Sequence, residues 1–172
     1  MKLTKKLLAM ALAGVMLLTI LTGCSGGKTG DRLVEEYMAA YFHGFDAYKD
    51  IPITHDVPEI KTVADMFETS WLKDDGSWTF SSKTPNNPKS KPCGRFNKYA
   101  SGYTVNLYAF EVDSKQRELN QTMRVMSPAD HGLSIYPPSG LTNAIQCATR
   151  LVTRENKSYR IVVIIYDHHT LG

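Results

Sequence analysis

Residues 143–167, NAIQCATRLVTRENKSYRIVVIIYD, decide the fold. Side chains alternate between the two faces of a β-strand, and from residue 161 onward both faces of this stretch are apolar, with Ile161, Val163 and Ile165 on one face and Val162, Ile164 and Tyr166 on the other. A strand that is apolar on both faces is typical of the buried centre of a sheet. The polar residues 155–158 separate it from an earlier arm, 143–154. The stretch therefore predicts a β-hairpin whose second arm, 159–167, is central.

A second hairpin is predicted upstream of this one. Residues 103–112 alternate, and so does the segment that follows the polar turn 113–116, where Leu119, Gln121, Met123 and Val125 alternate with more polar residues. Residues 77–82 are a further short strand candidate. Residues 83–94 contain three prolines and predict a long irregular loop.

Two amphipathic helices are predicted before the strands. Apolar residues recur at helical spacing over 31–49, namely Leu33, Tyr37, Met38, Tyr41, Phe42, Phe45 and Tyr48. A second helix is predicted to begin at Pro58, since proline fits the first turn, and to end near residues 74–76. Its buried stripe is Ile60, Val63, Ala64, Phe67 and Trp71.

The order of two helices followed by a twisted antiparallel sheet predicts an α+β fold with the N-terminal helices packed on the sheet. The aromatic helix over 33–48, and the closing pattern of residues 150–156 followed by Tyr159-Arg160-Ile161, resemble the nuclear-transport-factor-like, or cystatin-like, cone fold. That resemblance implies a long first helix lying across a curved sheet. A chance match by another domain of two helices and five strands is the open alternative.

The first 23 residues have the pattern of an export signal. Lys2, Lys5 and Lys6 precede an uncharged apolar run over 7–21. This run is shorter than the ~20 apolar residues that a spanning helix needs. It therefore predicts a cleaved signal peptide rather than a transmembrane segment.

The apolar run closes on Leu21-Thr22-Gly23-Cys24-Ser25, which resembles the lipobox of bacterial lipoproteins. The resemblance implies a diacylglyceryl group on the Cys24 sulfur, cleavage just before Cys24, and attachment to the cell membrane on its extracytoplasmic face. Two acyl chains give essentially permanent attachment, where a single chain binds only marginally. The glycine-rich residues 24–30 predict a flexible tether, and residues 31–172 predict a single domain.

Charge excludes nucleic acid as the expected partner. The formal net charge of +3 belongs to the three lysines of the signal, so the mature chain carries 17 basic and 17 acidic residues. The acids are concentrated in residues 31–76, with eleven acids against four bases, and the remainder is basic. We interpret this pattern as an acidic helical layer beside a basic sheet, or as a surface that orients a partner.

The two cysteines outside the lipobox leave two readings open. Cys93 and Cys147 form a candidate disulfide, because an exported protein meets oxidising conditions. The alternative is two free thiols, since sequence does not show that they meet. Cys93 as a nucleophile would need an activating base, and no histidine is near it in sequence.

The resemblance to the cone fold implies an interior that holds a ligand or a catalytic aspartate and histidine. The candidates to line such a pocket are Tyr37, Tyr41, His43, Tyr103 and Tyr108. The alternative, which we favour, is that the tyrosines belong to the core and that His43 is a partly exposed helix residue. Histidines beside carboxylates occur at His55-Asp56, Asp130-His131 and Asp167-His168-His169, and for each we favour a solvated position over a catalytic one. The sequence identifies no catalytic residue, no metal ligand set and no cofactor motif.

Two functions are therefore expected from the sequence. The first is a membrane-anchored, extracytoplasmic module that binds an envelope protein or a small-molecule ligand without catalysis. The alternative is a small pocket hydrolase or isomerase that uses one histidine and one carboxylate.

Overall fold

The predicted C-terminal hairpin lies at the centre of a five-stranded sheet in the computed structural model, which describes residues 30–72, 77–81, 93–99, 102–113, 116–126 and 142–168. Helices pack on this sheet, which confirms the α+β class. The helices are α1 (Gly30–His43), α2 (Glu59–Met66) and α3 (Glu118–Met126), with 3₁₀ segments at Thr69–Trp71 and Cys93–Tyr99. The strands are β1 (Ile53–Thr54), β2 (Ser77–Ser81), β3 (Tyr103–Val112), β4 (Ala144–Arg154) and β5 (Lys157–Asp167).

The sheet has the strand order β1-β4-β5-β3-β2, so β5 is its middle strand as predicted. Strands β4, β5, β3 and β2 are antiparallel to their neighbours, whereas β1 pairs with β4 in parallel, with Ile53 opposite Ile145. The sheet is therefore mixed, and the prediction of a purely antiparallel sheet is wrong at this edge. The reason is geometric. Helix α1 runs antiparallel to β4, and the turns after α1 reverse the chain, so β1 runs in the same direction as β4.

The β4–β5 turn is tighter than the sequence predicted. The strands continue to Arg154 and Lys157, and only Glu155 and Asn156 lie between them. Both have positive φ, 51° and 62°, as a type I′ turn requires. The backbone twist of this turn matches that of the flanking strands, so two residues are enough to connect them.

The two faces of β5 belong to two separate hydrophobic clusters, which confirms that the strand is covered on both sides. On one face Ile161, Val163 and Ile165 pack with the buried stripe of α2. On the other face Val162, Ile164 and Tyr166 pack with α1. Burying a side chain of this size stabilises a protein by about 1.5–3 kcal/mol, so this strand contributes strongly to the core.

Arg154 fastens the second helix to the hairpin. Its guanidinium donates from Nη2 to the carbonyl of Ala64 at 2.9 Å and from Nε to the carbonyl of Phe67 at 3.2 Å. These carbonyls lie at the C-terminal end of α2, where the helix leaves acceptors unpaired and favours positive charge.

Both N-terminal helices are shorter than predicted. Helix α1 ends at His43 instead of Lys49, and turns follow in which the amide of Tyr48 donates to the carbonyl of Phe45 at 2.9 Å. Helix α2 ends at Met66 because Phe67 is extended, with φ −62° and ψ 130°. The apolar residues beyond each helix remain in the core, so their spacing overstated the helix length.

The segment predicted as a strand over 119–125 is the helix α3, and that prediction is wrong. Its buried residues are Gln121, Thr122, Val125 and Met126, which recur at helical spacing, while Met123 is 46% exposed. The Thr122 hydroxyl donates to the carbonyl of Glu118 at 3.0 Å, one helical turn back. The alternating pattern was misleading here because the adjacent residues Gln121 and Thr122 both face the core, whereas Met123 faces solvent.

Candidate functional site

A buried arginine lies on the central strand. Arg160 is 1% exposed and is the largest of the described side chains that are fully buried. It lies on the α1 face of β5 and is bonded to residues of α1, α3 and β4. A buried guanidinium is costly unless it is paired and hydrogen-bonded, so its partners define a site.

Arg160 and the polar residues around it form what we call the arginine cluster, which consists of Asp31, Glu35, Gln121, Thr149 and Arg160. Arg160 forms an ion pair with the Asp31 carboxylate, and its Nε donates to the Gln121 Oε1 atom at 2.9 Å. Burial lowers the pKa of Arg160, and the charge of Asp31 offsets part of that change. The cluster therefore joins the first turn of α1 to the middle of the sheet.

The two acids of the cluster also cap the edge of β4. The amide of Leu151 donates to Asp31 Oδ1 at 3.0 Å, and the amide of Thr149 donates to Glu35 Oε1 at 2.9 Å. Asp31 and Glu35 are four residues apart on α1, a rise of ~6 Å along the helix. Thr149 and Leu151 are two residues apart on β4, a rise of ~6.8 Å along the strand, so the carboxylates and the amides have nearly the same spacing. Side-chain carboxylates thus replace a neighbouring strand where β1 no longer pairs with β4.

Glu35 is the buried acid of the arginine cluster. Burial raises the pKa of Glu35, and the bonds from Thr149 and the charge of Arg32 oppose that rise. Arg32 lies 3.6 Å from a Glu35 carboxylate oxygen. The arginine cluster therefore contains a carboxyl group whose ionised form is disfavoured by its surroundings.

A histidine and a cysteine lie close together beside these bonds. Cys147 is on β4, two residues before Thr149, and His55 directly follows β1. His55 Nδ1 lies 3.3 Å from the carbonyl of Cys147 and 3.4 Å from its Sγ atom. Burial lowers the pKa of His55 and raises the pKa of the Cys147 thiol well above its usual value. Burial therefore disfavours the charged form of both groups, and the thiol, which is 0% exposed, is not an activated nucleophile.

Of the two alternatives left open for Cys93 and Cys147, the structure describes Cys147 as a free, buried thiol. Cys147 belongs to the cluster on the α1 face of the sheet. The 3₁₀ segment that begins at Cys93 contributes Phe96 and Tyr99 to the cluster on the opposite face. The sheet separates the two segments, although the side chain of Cys93 itself lies outside the described residues.

The five residues predicted to line a pocket do not converge on one point. Tyr108 belongs to the cluster on the α1 face, and Tyr41 packs against it. Tyr103 packs against the cluster on the α2 face. Tyr37 is buried on α1, where burial and the nearby charge of Glu118 raise its pKa. His43 is exposed at the end of α1, and its Nε2 lies 3.1 Å from the carbonyl of Ile51.

Aromatic side chains fill the interior between α1 and the sheet. Phe42 contacts Tyr48 and Tyr166 edge to face, with ring centroids 5.7 Å and 6.2 Å apart. Burial raises the pKa of Tyr48 to about 12, and burial also raises the pKa of Tyr108 well above its usual range. The interior that the cone resemblance assigned to a ligand is thus lined by phenyl and phenol rings in the described residues.

The remaining histidine candidates have separate positions. His168 follows β5, and its Nε2 lies 3.0 Å from the Thr104 hydroxyl oxygen. His131 and His169 lie outside the described residues, as do Asp130 and Cys24. Within the described ranges, no three side chains of His, Cys, Asp or Glu come together as ligands for a metal ion.

Sequence reasoning missed the arginine cluster, although a signal for it was present. Arg160 occupies an inward position of a strand whose other inward residues are apolar, and such a cation needs a buried acid. The predicted first helix carries three acids near its start, Asp31, Glu35 and Glu36. Two of them, Asp31 and Glu35, face the sheet.

The fold and the cluster define an α+β domain whose first helix is fastened to a mixed sheet by a buried ion pair. No helix in the described part of the chain has the length and apolar character needed to cross a membrane. No protein-family model, no curated protein and no solved structure matches this chain.

Proposed function

We propose that the mature protein is a membrane-anchored, extracytoplasmic module that binds an envelope protein or a small-molecule ligand without catalysis. The sequence from Leu21 to Ser25 supports the anchor on Cys24. The aromatic side chains fill the described interior between α1 and the sheet and leave no space there for a substrate between a histidine and a carboxylate, which favours binding over catalysis in a pocket. This aromatic filling is the single observation on which the proposal of binding depends.

We also propose that α1 and the sheet form a cone-like body of the cystatin type. Two features support this finer description of the fold. Helix α1 packs along β4, and β4 and β5 form a long hairpin of eleven residues in each strand. In this description, the parallel strand β1 and the helix α3 are additions to the helix and the hairpin.

The alternative function, a pocket hydrolase or isomerase, requires a histidine and a carboxylate that face a common cavity. His43 is exposed at the end of α1, and His55 pairs with a buried thiol. These positions favour binding over catalysis for the described residues.

Fractionation of cells that express the Cys24→Ala variant tests the anchor. We expect the wild-type protein in the membrane fraction and the variant released from it, because the variant lacks the sulfur that carries the acyl chains. Ser25→Ala is the matched control, since it changes the next residue and leaves the cysteine intact. Membrane retention of the Cys24→Ala variant would contradict the proposal.

A further inference from the structure

The first turn of α1 fixes which end of the domain lies beside the proposed anchor. Gly30 lies six residue steps beyond Cys24, so the tether reaches at most ~21 Å. A domain of this size has a radius of gyration of about 14 Å, which corresponds to a diameter of roughly 37 Å. Because the tether is shorter than the domain is wide, the domain cannot turn its opposite end towards the bilayer.

Three contacts identify the surface beside Gly30. The amide of Leu151 donates to Asp31, and an Arg150 Nη1 atom lies 3.9 Å from an Asp31 carboxylate oxygen. On the other side, a Cβ atom at Gly30 would lie 3.2 Å from the Glu118 carboxylate at the start of α3. The anchor-end surface is therefore formed by the end of β4 and the beginning of α3, and Arg117, Arg150 and Leu151 are among its exposed residues.

The chemistry of this surface matches a lipid headgroup layer. Leu151 is 44% exposed and the Arg150 side chain is 49% exposed, so the end of β4 presents a cation and an apolar side chain, one on each face of the strand. The acidic residues near the β4–β5 turn are engaged within the protein. Glu111 pairs with Lys157 at 2.9 Å, and Glu155 accepts a hydrogen bond from the Thr69 hydroxyl at 3.2 Å.

We infer that the anchor-end surface rests on the bilayer, with Leu151 entering the headgroup region and Arg150 and Arg117 contacting anionic phosphates. This inference depends on the proposed lipid anchor on Cys24, which brings the surface to the membrane. The occupant is an anionic phospholipid layer, because the tether places that layer within reach and the exposed side chains are cationic and apolar. The domain is thereby held in one orientation, with its opposite end directed away from the membrane.

Hydrogen exchange on the lipidated mature protein tests this orientation. The protein is reconstituted in vesicles of phosphatidylcholine with phosphatidylglycerol and, separately, in vesicles of phosphatidylcholine alone. We expect exchange of the amides in the β4–β5 turn, residues 154–157, to be about fivefold slower on the anionic vesicles. A basic side chain near an anionic surface is attracted by about 1 kcal/mol, which corresponds to that factor. High salt should reduce the difference, because it screens the exposed charges.

The Arg150→Gln/Leu151→Ser variant should lose this slowing while it still sediments with the vesicles. Lys49→Gln, an exposed lysine beyond the other end of α1, is the matched control and should keep it. Arg150→Lys retains the charge and should also keep it. Equal exchange on both kinds of vesicle, with the protein sedimenting in each, would overturn the inference and leave the anchor standing. Failure of the protein to sediment with either would instead overturn the anchor and the inference together.

Discussion

At the scale of single residues, Arg160 is the group whose removal tests the core most sharply. It is buried on the middle strand, and Asp31 supplies the opposing charge from the first turn of α1. A buried ion pair need not stabilise a fold more than apolar side chains of the same volume do. Loss of one partner, however, leaves a buried charge without compensation.

We predict that Asp31→Ala destabilises the mature chain by about 3–5 kcal/mol, because Arg160 then remains buried without a carboxylate. The double variant Asp31→Ala/Arg160→Met should recover part of that loss, since the uncompensated charge is gone. Urea unfolding of the wild type, of Asp31→Ala, of Arg160→Met and of the double variant measures the four free energies that the comparison needs. Arg150→Met is the control, because Arg150 is half exposed and its ion pair is worth about 0–1 kcal/mol. Additive effects of the two core substitutions would contradict coupling within the cluster.

Glu35 gives the cluster a predicted pH dependence. Burial raises its folded-state pKa above the usual value of 4.5, so the folded protein binds this proton more tightly than the unfolded chain does. Its contribution to stability is therefore fully present below 4.5 and is lost as the pH rises through the folded-state pKa. Glu35→Gln should remove this loss, since the amide oxygen can still accept the bond from Thr149.

Thermal unfolding from acidic to neutral pH measures the effect. The difference between the melting temperature of Glu35→Gln and that of the wild type should increase in favour of the variant as the pH rises. Glu68→Gln, at an exposed carboxylate, should follow the wild-type curve. A constant difference between wild type and Glu35→Gln at all pH values would show that Glu35 does not titrate as described.

At the scale of secondary-structure elements, the β4–β5 turn is the point where sequence and backbone geometry fit least well. Glu155 has positive φ, a conformation that costs an ordinary L-residue about 1–2 kcal/mol. Type I′ turns prefer Asn followed by Gly at these two positions. The residue at the first position of the turn therefore does not favour the backbone conformation that the pairing of β4 with β5 requires.

We predict that Glu155→Asn/Asn156→Gly stabilises the protein by ~1 kcal/mol, because both residues then adopt positive φ at little cost. Urea unfolding checks the gain. The substitution also removes the bond from Thr69 to Glu155, so Thr69→Ala measures that loss separately. A net loss of stability beyond that of Thr69→Ala would mean that the turn is not strained.

The elements also show how far the sequence could predict the fold. The central hairpin was predictable because β5 is apolar on both faces and an interior strand requires that pattern. Helix α3 was not, because Gln121 and Thr122 face the core through hydrogen bonds that composition does not reveal. The strand β1 has only two residues and depends on the position of β4, which no local pattern specifies.

The candidate site was less predictable than the fold for a similar reason. Arg160 meets Asp31 across 129 positions of sequence, and only the packing of α1 on the sheet brings them together. The predicted tyrosine pocket assumed that aromatic residues on α1 and β3 face one another. Tyr103 and Tyr108 are an odd number of residues apart on one strand, so they point to opposite faces.

At the scale of the whole molecule, the proposed anchor and the arginine cluster act on the same point of the chain. The tether enters the fold at Gly30, and the next residue, Asp31, is bonded to both β4 and β5. A force applied through the proposed anchor would therefore reach the middle of the sheet. This arrangement suits a domain that is held at a surface and presents its opposite end to a partner.

Intact mass spectrometry of the protein purified from bacterial membranes tests the central claim most directly. We expect a chain that begins at Cys24 and carries a diacylglyceryl group on that residue, with a fragment spectrum that places the added mass on the cysteine. A chain that begins at Met1, or one that begins near residue 24 with no added lipid, would contradict the claim.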